Sequence, residues 1–321
     1  MNPRENVIKA IEFKNPVRVP LVFPGYLDSD IVFLHYTPKV HWTSGGMRKD
    51  EWECLWRTAD KTMGTVIGSP LTDWDNLNHY SFPDPPKENR FEESEKQILK
   101  CKSKKYTMGG VGFTLFERMH FLRGFDNLLI DLYLNSERVK LLADRVSNFQ
   151  AKIIENWGKV GTDGILFTDD WGTNEGLFIN PELWRKIFKP FYVKLCNEVH
   201  RWGMHVFFHS DGQIHEIISD FIECGVDVLE IAQPHLFDLE QLAQEFGEQI
   251  CFFGAVDKQT TLISGSKEQI IEEVKKLIRI FGAFNGGFIA MGDMEDYQVL
   301  EVPRENIRVM VGAFKQFADW A

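Results

Sequence analysis

Short apolar runs alternate with longer amphipathic segments in the second half of the chain. From about residue 160 onward, each run rich in aromatic and β-branched residues is followed by a segment in which apolar residues recur every three or four positions. This alternation indicates repeated βα units around a parallel sheet. The predicted strands are residues 164–168, 204–208, 226–231, 250–253 and 287–291, and the predicted helices are residues 181–201, 213–224, 236–246, 267–281 and 303–320.

The first half of the chain is less regular. Residues 18–23 and 106–113 are predicted strands, and residues 136–157 are a predicted long helix. We interpret residues 27–103 as an insertion, since they contain the turn-rich stretch 81–86 and a charged segment. Seven strands are thus placed, and the pattern does not locate an eighth.

These elements predict a single-domain (β/α)8 TIM barrel with an insertion in its N-terminal half. Barrels of this length commonly form one domain. An open doubly wound sheet gives the same alternation, but the sequence contains neither a Gly-x-Gly-x-x-Gly turn nor a P-loop to favour it. In a barrel, the residues that follow each strand line the mouth where active sites lie.

Composition and charge limit the classes of ligand and the location. The 321-residue chain has a net charge of −11, which disfavours nucleic acid because phosphate binding needs a dense basic surface. No apolar run is long enough for a membrane span, and the first residues lack a secretory signal. The five cysteines form no Cys-x-x-Cys pair. We therefore expect a cytoplasmic protein with reduced thiols that binds neither nucleic acid nor membrane.

The predicted mouth is rich in carboxylates. Such a group of acids must hold a cation, bind a metal or keep some members protonated. Taken singly, an acid after a strand also serves as a helix cap, and this role stays open for Asp169, Asp170 and Asp257. The residues expected at the mouth include Tyr26, Phe113, Glu117, Asp169, Asp170, Trp171, His209, Asp211, Glu230, Gln233, His235, Asp257, Asp293 and Asp296.

His209 and Asp211 are the leading candidates within this group. They lie two residues apart at a strand end, so both side chains can point to the same side, just before the turn at Gly212. A histidine within a strand is often structural, and we interpret His205 in this way. The position of His209 at the mouth favours a functional role.

Several segments resemble the uroporphyrinogen decarboxylase superfamily, and together they cover nearly the whole chain. The resemblance implies a barrel that is either a decarboxylase or a methyltransferase working with a corrinoid. The segments that carry it are residues 3–20, Thr168-Asp-Asp-Trp-Gly172, His209-Ser-Asp-Gly212, Gly254-Ala-Val-Asp257, Asn285-Gly-Gly-Phe-Ile289 and Val302-Pro-Arg-Glu-Asn-Ile307.

An early segment bears on the choice between these two branches. In the family's pattern, true decarboxylases carry two arginines four residues apart that grip the carboxylates of the porphyrinogen. This chain has Arg18-Val-Pro-Leu-Val-Phe-Pro-Gly25 there, without a second arginine. A polycarboxylate needs a basic mouth, whereas the predicted mouth is acidic. The methyltransferase branch is therefore favoured, and a decarboxylase stays the alternative.

The coenzyme M methyltransferases of that branch imply a zinc site. Their ligands are a histidine, a cysteine two residues later, a glutamate after the next strand and a cysteine near the last strand. The matching residues here are His209, Asp211, Glu230 and Asp293, so aspartate replaces both cysteines. This harder ligand set favours activation of an ether or hydroxyl oxygen over a thiol. Three acids are many for zinc, so zinc, another divalent metal and a site without metal all stay open.

The resemblance thus implies an enzyme that transfers a methyl group from a small aromatic methyl ether to the cobalt(I) of a corrinoid carried by a partner protein. A non-catalytic barrel that binds a ligand or corrinoid protein is the alternative that the lost cysteines motivate. The methyl donor, the metal, the direction of transfer and the assembly, a homodimer included, stay open. The predicted catalytic residues are His209, Asp169, Asp211 and Asp293, and the predicted substrate-binding residues are Tyr26, Phe113, Trp171, Gln233 and His235.

Overall fold

A computed structural model describes residues 1–39, 46–58 and 64–319, apart from the side chains of Met294 and Glu295. Its strands are β1 (Leu21–Val22), β2 (Ile31–Phe33), β3 (Gly46–Lys49), β4 (Leu55–Thr58), β5 (Thr65–Gly68), β6 (Tyr106–Phe113), β7 (Gly164–Thr168), β8 (His205–His209), β9 (Val228–Glu230), β10 (Cys251–Gly254) and β11 (Phe288–Met291).

The helices surround the strands. They are α1 (Pro3–Ile11), α2 (Glu92–Cys101), α3 (Leu115–Arg123), α4 (Phe125–Leu134), α5 (Ser136–Val160), α6 (Pro181–Ile187), α7 (Lys189–Arg201), α8 (Ile218–Cys224), α9 (Leu239–Phe246), α10 (Thr261–Ser264), α11 (Lys267–Phe281), α12 (Met294–Val299) and α13 (Arg304–Phe317). Across the described ranges, none of these helices has both the length and the apolar character needed to cross a bilayer.

Eight parallel strands of the described chain form one sheet in the order β1-β11-β10-β9-β8-β7-β6-β2. The two ends of this sheet meet, because the Asp30 N–H before β2 donates to the Leu21 carbonyl of β1 over 2.9 Å. The result is a nearly closed barrel ringed by helices, as the sequence predicts. The carboxyl ends of all eight strands therefore face one mouth.

The eighth strand lies inside the segment 27–103 that the sequence suggests as an insertion. Strand β2 pairs with β6 through Ile31 and Tyr106. No amphipathic helical segment directly follows these three residues, so the alternation that marks the other βα units gives no signal for this strand. The remainder of the segment includes the antiparallel sheet β3-β4-β5, which is separate from the barrel.

Local chemistry explains where the helices depart from the predicted ranges. The predicted helix 181–201 divides into α6 and α7, because Pro190 in the first turn of α7 has no N–H to continue the hydrogen-bond ladder. The helix predicted at 236–246 begins only at Leu239, since the carboxylate of Asp238 caps the N–H groups of Glu240 and Gln241.

The amino end of the barrel is filled with apolar side chains. Tyr106, Phe207, Phe253 and Ile289 are buried in one cluster with residues of α1, which closes this end. Because successive strand residues point to opposite faces, the inward positions nearest the carboxyl ends remain for polar side chains. The closed amino end therefore leaves the mouth as the accessible end.

Candidate functional site

Asp170, His209 and Asp211 converge at the carboxyl ends of β7 and β8. One possible ligand atom of each lies within 4.8 Å of those of the other two. The Nε2 atom of His209 is 3.6 Å from Oδ1 of Asp170, and the same oxygen accepts the Asp211 N–H over 2.8 Å. Two carboxylates and one imidazole make up a ligand set that suits a divalent cation.

Asp211 supports this fit through an unsatisfied atom. Its Oδ1 is buried and has no hydrogen-bond partner within the described ranges. Burial raises the pKa of Asp211, and the nearby charge on His209 opposes that rise. Since leaving a buried carboxylate oxygen unpaired costs free energy, this atom is poised to accept a cation or a donor.

A close approach of two loops holds the three residues together. A Cβ atom on Gly212 would lie 2.2 Å from the carbonyl group of Gly172, and the φ of Gly212 is +87°. Only glycine fits this position without strain. The Asp169 N–H also donates to the His209 carbonyl over 3.0 Å, and the Trp171 N–H donates to the Ser210 hydroxyl over 3.0 Å. The loops after β7 and β8 are thus bound to each other.

Glu230, which ends β9, lies on the other side of the His209 ring. Its Oε2 is 2.9 Å from Nδ1 of His209, which leaves Nε2 on the side of Asp170. Burial disfavours the charged imidazole, but the carboxylates of Glu230 and Asp170 outweigh this effect and raise the pKa of His209 to about 10. Glu230 therefore orients His209, as carboxylates do for metal-bound histidines. Its predicted role as a metal ligand stays a prediction.

Asp293, at the end of β11, lies beside a buried lysine. Its Oδ1 accepts the Asp296 N–H over 3.1 Å, and burial together with the charge on Asp296 raises the pKa of Asp293. The buried Lys258 forms an ion pair with Asp296 and lies within electrostatic range of Asp211 and Asp293. The three-residue set thus contains Asp170 and neither Glu230 nor Asp293, and the role of Asp293 as a ligand stays a prediction.

Lys258 is a residue that the sequence reasoning missed. It directly follows Asp257 in the loop after β10, and this position after a strand was the signal that could have placed it at the mouth. Lys258 was not predicted because the mouth residues were chosen for their carboxylates. Its positive charge offsets part of the mutual repulsion among these acids.

Asp169 is fully buried below the mouth. Its carboxylate accepts the N–H groups of Phe116 and Glu117 over 2.8 and 2.7 Å, and the Tyr192 hydroxyl also donates to it. Burial raises the pKa of Asp169 to about 7. These contacts anchor the first turn of α3, which is a structural cap of the kind the sequence leaves open. Its predicted catalytic role is not needed to account for them.

Glu117 extends from this anchored turn. Its side chain is nine-tenths buried, and Oε2 has no hydrogen-bond partner among the described residues. Burial, with the charges of Asp169 and Asp170, raises the pKa of Glu117 well above its ordinary value. This shift favours the protonated form of Glu117, which lies within electrostatic range of His209.

The predicted aromatic substrate residues occupy different environments. Trp171 has no exposed surface, stacks on Phe116 with ring centroids 4.3 Å apart and donates from Nε1 to the Tyr192 hydroxyl. These are the contacts of a core residue. Phe113 lies at the edge of a cavity, and Tyr26 is partly buried against the core.

The two polar residues predicted to bind substrate, Gln233 and His235, stabilise loops through hydrogen bonds. Oε1 of Gln233 accepts the Gly212 N–H over 2.7 Å, so Gln233 supports the turn that follows Asp211. Nδ1 of His235 is 2.6 Å from Oδ2 of Asp257, and that carboxylate also accepts the Thr260 N–H and hydroxyl. Neither residue belongs to the Asp170–His209–Asp211 set, and their substrate contacts stay predictions.

The fold and site define a (β/α)8 barrel with a polar, acid-rich mouth. The chain belongs to the uroporphyrinogen decarboxylase (URO-D) family, whose model matches residues 57–317. This family membership confirms the resemblance seen in the sequence.

One solved structure shares the fold at low sequence identity. A methyltransferase from Methanosarcina mazei matches with a TM-score of 0.75 and 15% identity over 99% of both chains. A 3-keto-D-glucoside 4-epimerase from E. coli has a TM-score of 0.41 and 14% identity, over 76% of this chain and 95% of its own. A D-psicose 3-epimerase from Clostridium cellulolyticum has a TM-score of 0.46 and 8% identity, over 93% and 97%. No curated protein matches this chain in sequence.

Proposed function

We propose that this protein transfers a methyl group from a small aromatic methyl ether to the cobalt(I) of a corrinoid carried by a partner protein. The observation that carries the proposal is the oxygen-rich set of Asp170, His209 and Asp211, with the unpaired Oδ1 of Asp211. Membership of the URO-D family and the shared fold of the Methanosarcina mazei methyltransferase support the choice of methyl transfer.

The three residues would hold a divalent cation such as zinc. When bound, the cation supplies Lewis-acid polarisation of the ether oxygen. Carboxylates make the site harder than the thiolate sites of the coenzyme M relatives, and a hard site favours oxygen over sulfur. An ether oxygen is therefore the better match for this chain.

Residues around the set supply orientation and a proton. Glu230 fixes the His209 ring through Nδ1. Cobalt(I) of the partner donates the electron pair that forms the new bond to carbon, and the electrons of the carbon–oxygen bond stay on the departing oxygen. A phenol has a pKa of about 10, so the aryl oxygen leaves more readily if it is protonated as the carbon–oxygen bond breaks. The raised pKa of Glu117 favours its protonated form, so Glu117 is the residue we assign to supply this proton, and solvent replaces it after each turnover.

Decarboxylation of a porphyrinogen is less well supported. Arg18, the arginine of the early segment, forms a two-point pair with Asp30 at 2.7 and 2.8 Å. Because Arg18 precedes β1, this pair lies at the amino end of the barrel and not at the mouth. The acids of the mouth would repel a polycarboxylate substrate.

An anaerobic transfer assay tests the proposal. The enzyme is mixed with a corrinoid protein reduced to cobalt(I) and a panel of aryl methyl ethers, and the absorption of cobalt(I) is followed. We expect conversion to methylcobalt(III) with release of the phenol, and loss of conversion in Asp211→Asn. No conversion across the panel, with carbon dioxide release from uroporphyrinogen, would support the decarboxylase. Neither reaction, with no bound metal, would support a non-catalytic binding barrel.

A further inference from the structure

An aromatic cavity of about 370 Å³ lies beside the mouth, between the end of β6 and the segment after β2. The rings of Tyr36, Trp52, Phe113 and Phe149 line it. The Arg118 guanidinium lies over the Trp52 and Phe113 rings at 5.1 and 5.4 Å from their centroids. Since a cavity of about 150 Å³ is enough to bind benzene, this one has room for a substituted aromatic ring.

Gln150 places one unsatisfied acceptor on the wall of this cavity. Its side-chain Nε2 donates to the Phe113 carbonyl over 3.1 Å, and because a carbonyl only accepts, this bond fixes the orientation of the amide. Oε1 is buried without a hydrogen-bond partner in the parts of the chain that the structure describes, and the residue is 1% exposed. A buried acceptor of this kind gains most from a ligand that brings a donor.

The charged residues on the cavity lining are Lys39, Arg48, Asp50, Glu51 and Arg118, and two ion pairs join Arg118 to Asp50 and Glu51 to Arg90. Arg118 donates from Nη1 to Oδ2 of Asp50 over 2.8 Å. Its charge is therefore compensated, and the ligand need not be an anion. Aromatic walls and one free amide oxygen together favour a neutral aromatic ring with an O–H or N–H group.

The lining of the cavity is connected by hydrogen bonds and strand pairing to the strand ends that carry the site. The carbonyl of Gly112, on its lining, accepts the Thr168 hydroxyl over 3.2 Å. Thr168 in turn pairs in register with His209 on the next strand. Neighbouring strands are about 4.8 Å apart, so Gly112 and His209 are separated by roughly two strand spacings. A ring seated in the cavity can direct a substituent towards His209.

We propose that this cavity binds the ring of the methyl donor and that Gln150 selects rings carrying a hydroxyl or amino group. The identification of the bound ring as the methyl donor rests on the proposed function. The binding of such a ring does not depend on methyl transfer, so the two can be tested separately.

Fluorine NMR titration of the full chain tests the binding without any corrinoid protein. The probes are 4-fluoro-2-methoxyphenol and 4-fluoro-1,2-dimethoxybenzene, which differ in one O–H donor. We expect the wild-type protein to bind the phenol at least about tenfold more tightly, the effect of one good hydrogen bond. Gln150→Met removes the acceptor and should bring the two dissociation constants together. Gln241→Met, on the exposed side of α9, is the matched control and should keep the difference.

Equal affinity for the two probes in the wild-type protein overturns the cavity proposal, and this result does not require a folded variant. Unchanged discrimination in a folded Gln150→Met protein also overturns it. Preferential binding of the phenol with no transfer to a corrinoid protein would instead contradict the proposed function and leave the binding site in place. Transfer from both ethers with equal affinities would contradict the cavity alone.

Discussion

The two ends of the barrel differ in how far their buried carboxylates are satisfied by hydrogen bonds. At the amino end, Asp163 accepts from Arg4 over 2.7 Å and from the N–H and hydroxyl of Thr107 over 3.0 and 3.1 Å. At the mouth, Oδ1 of Asp211 and Oε2 of Glu117 have no partner within the described ranges. A fully satisfied network rigidifies a fold, whereas unsatisfied buried acids mark a place where binding recovers free energy.

Two histidines of strand β8 show the same contrast. His205 and His209 are four residues apart, so their side chains point to the same face of the strand. Nδ1 of His205 lies 3.0 Å from the hydroxyl of Tyr106, which itself donates to the Asp163 carbonyl. His209 instead faces Glu230 and Asp170. One strand thus carries a structural histidine at one end and a functional candidate at the other.

Replacement of His209 should have the largest effect on activity. We expect His209→Ala to lower kcat/KM by about 10³-fold or more, as expected when a preorganised charged group is lost. The variant should still unfold cooperatively, because His209 lies at the open end of the barrel. The transfer assay and urea unfolding measure the two properties. Unchanged turnover would make His209 structural, like His205.

Replacement of Asp163 should show the reverse pattern. Asp163→Ala leaves Arg4 and Thr107 without their buried partner, so we expect a loss of about 3–5 kcal/mol in the free energy of unfolding. The kcat of the folded fraction should match that of the wild type, since the change is at the other end of the barrel. A large fall in kcat at full stability would contradict the division between the two ends.

Replacement of Glu230 tests whether this residue orients the His209 ring or binds the metal directly. Glu230→Gln keeps a hydrogen-bond acceptor near Nδ1 of His209 but removes the charge. An orienting role predicts metal affinity that is about 10–100-fold lower with unchanged stoichiometry. Titration calorimetry gives both quantities. Complete loss of binding would return Glu230 to the ligand set that the sequence predicts.

His120 separates the effect of burial from that of neighbouring acids. It packs among Phe116, Phe121 and Phe125, and burial, together with the charge on Arg118, lowers its pKa to about 4. The unfolded chain therefore binds a proton first as the pH falls below about 6.5, and stability is lost between there and pH 4.

The variant His120→Phe removes the part of the pH dependence of stability that comes from His120. Between pH 7 and pH 5 it should lose about 2 kcal/mol less free energy of unfolding than the wild type. Urea unfolding at the two pH values measures the difference. Parallel losses in both proteins would show that the folded chain does not lower the pKa of His120.

The regular part of the barrel could be predicted because its strands and helices are long enough to show their periods. Strand β2 could not, although β9 is equally short, because no amphipathic helical segment directly follows it to mark a βα unit. The order of elements also predicts which residues follow a strand, and so it indicates His209, Asp211 and the acids near them. The order of elements does not predict how deeply each of these side chains is buried. Trp171 follows β7 as Asp170 does, yet Trp171 is fully buried.

The choice among the acids depends on contacts between loops. Asp170 joins His209 and Asp211 because Gly172 and Gly212 let two backbones approach closely. The matched family positions instead indicate Glu230 and Asp293, which the structure places on Nδ1 of His209 and beside Asp296. Sequence spacing within one loop could not predict a set that two loops form together.

The most direct test of the central claim is the divalent metal bound by the purified protein. We expect titration calorimetry with zinc, together with elemental analysis, to give one equivalent per chain in the wild type. Asp211→Asn should bind it at least about tenfold more weakly, because one charged ligand is lost. A wild-type protein that binds no divalent cation, or an Asp211→Asn protein that binds it equally well, would contradict the assignment of Asp170, His209 and Asp211 as a metal site.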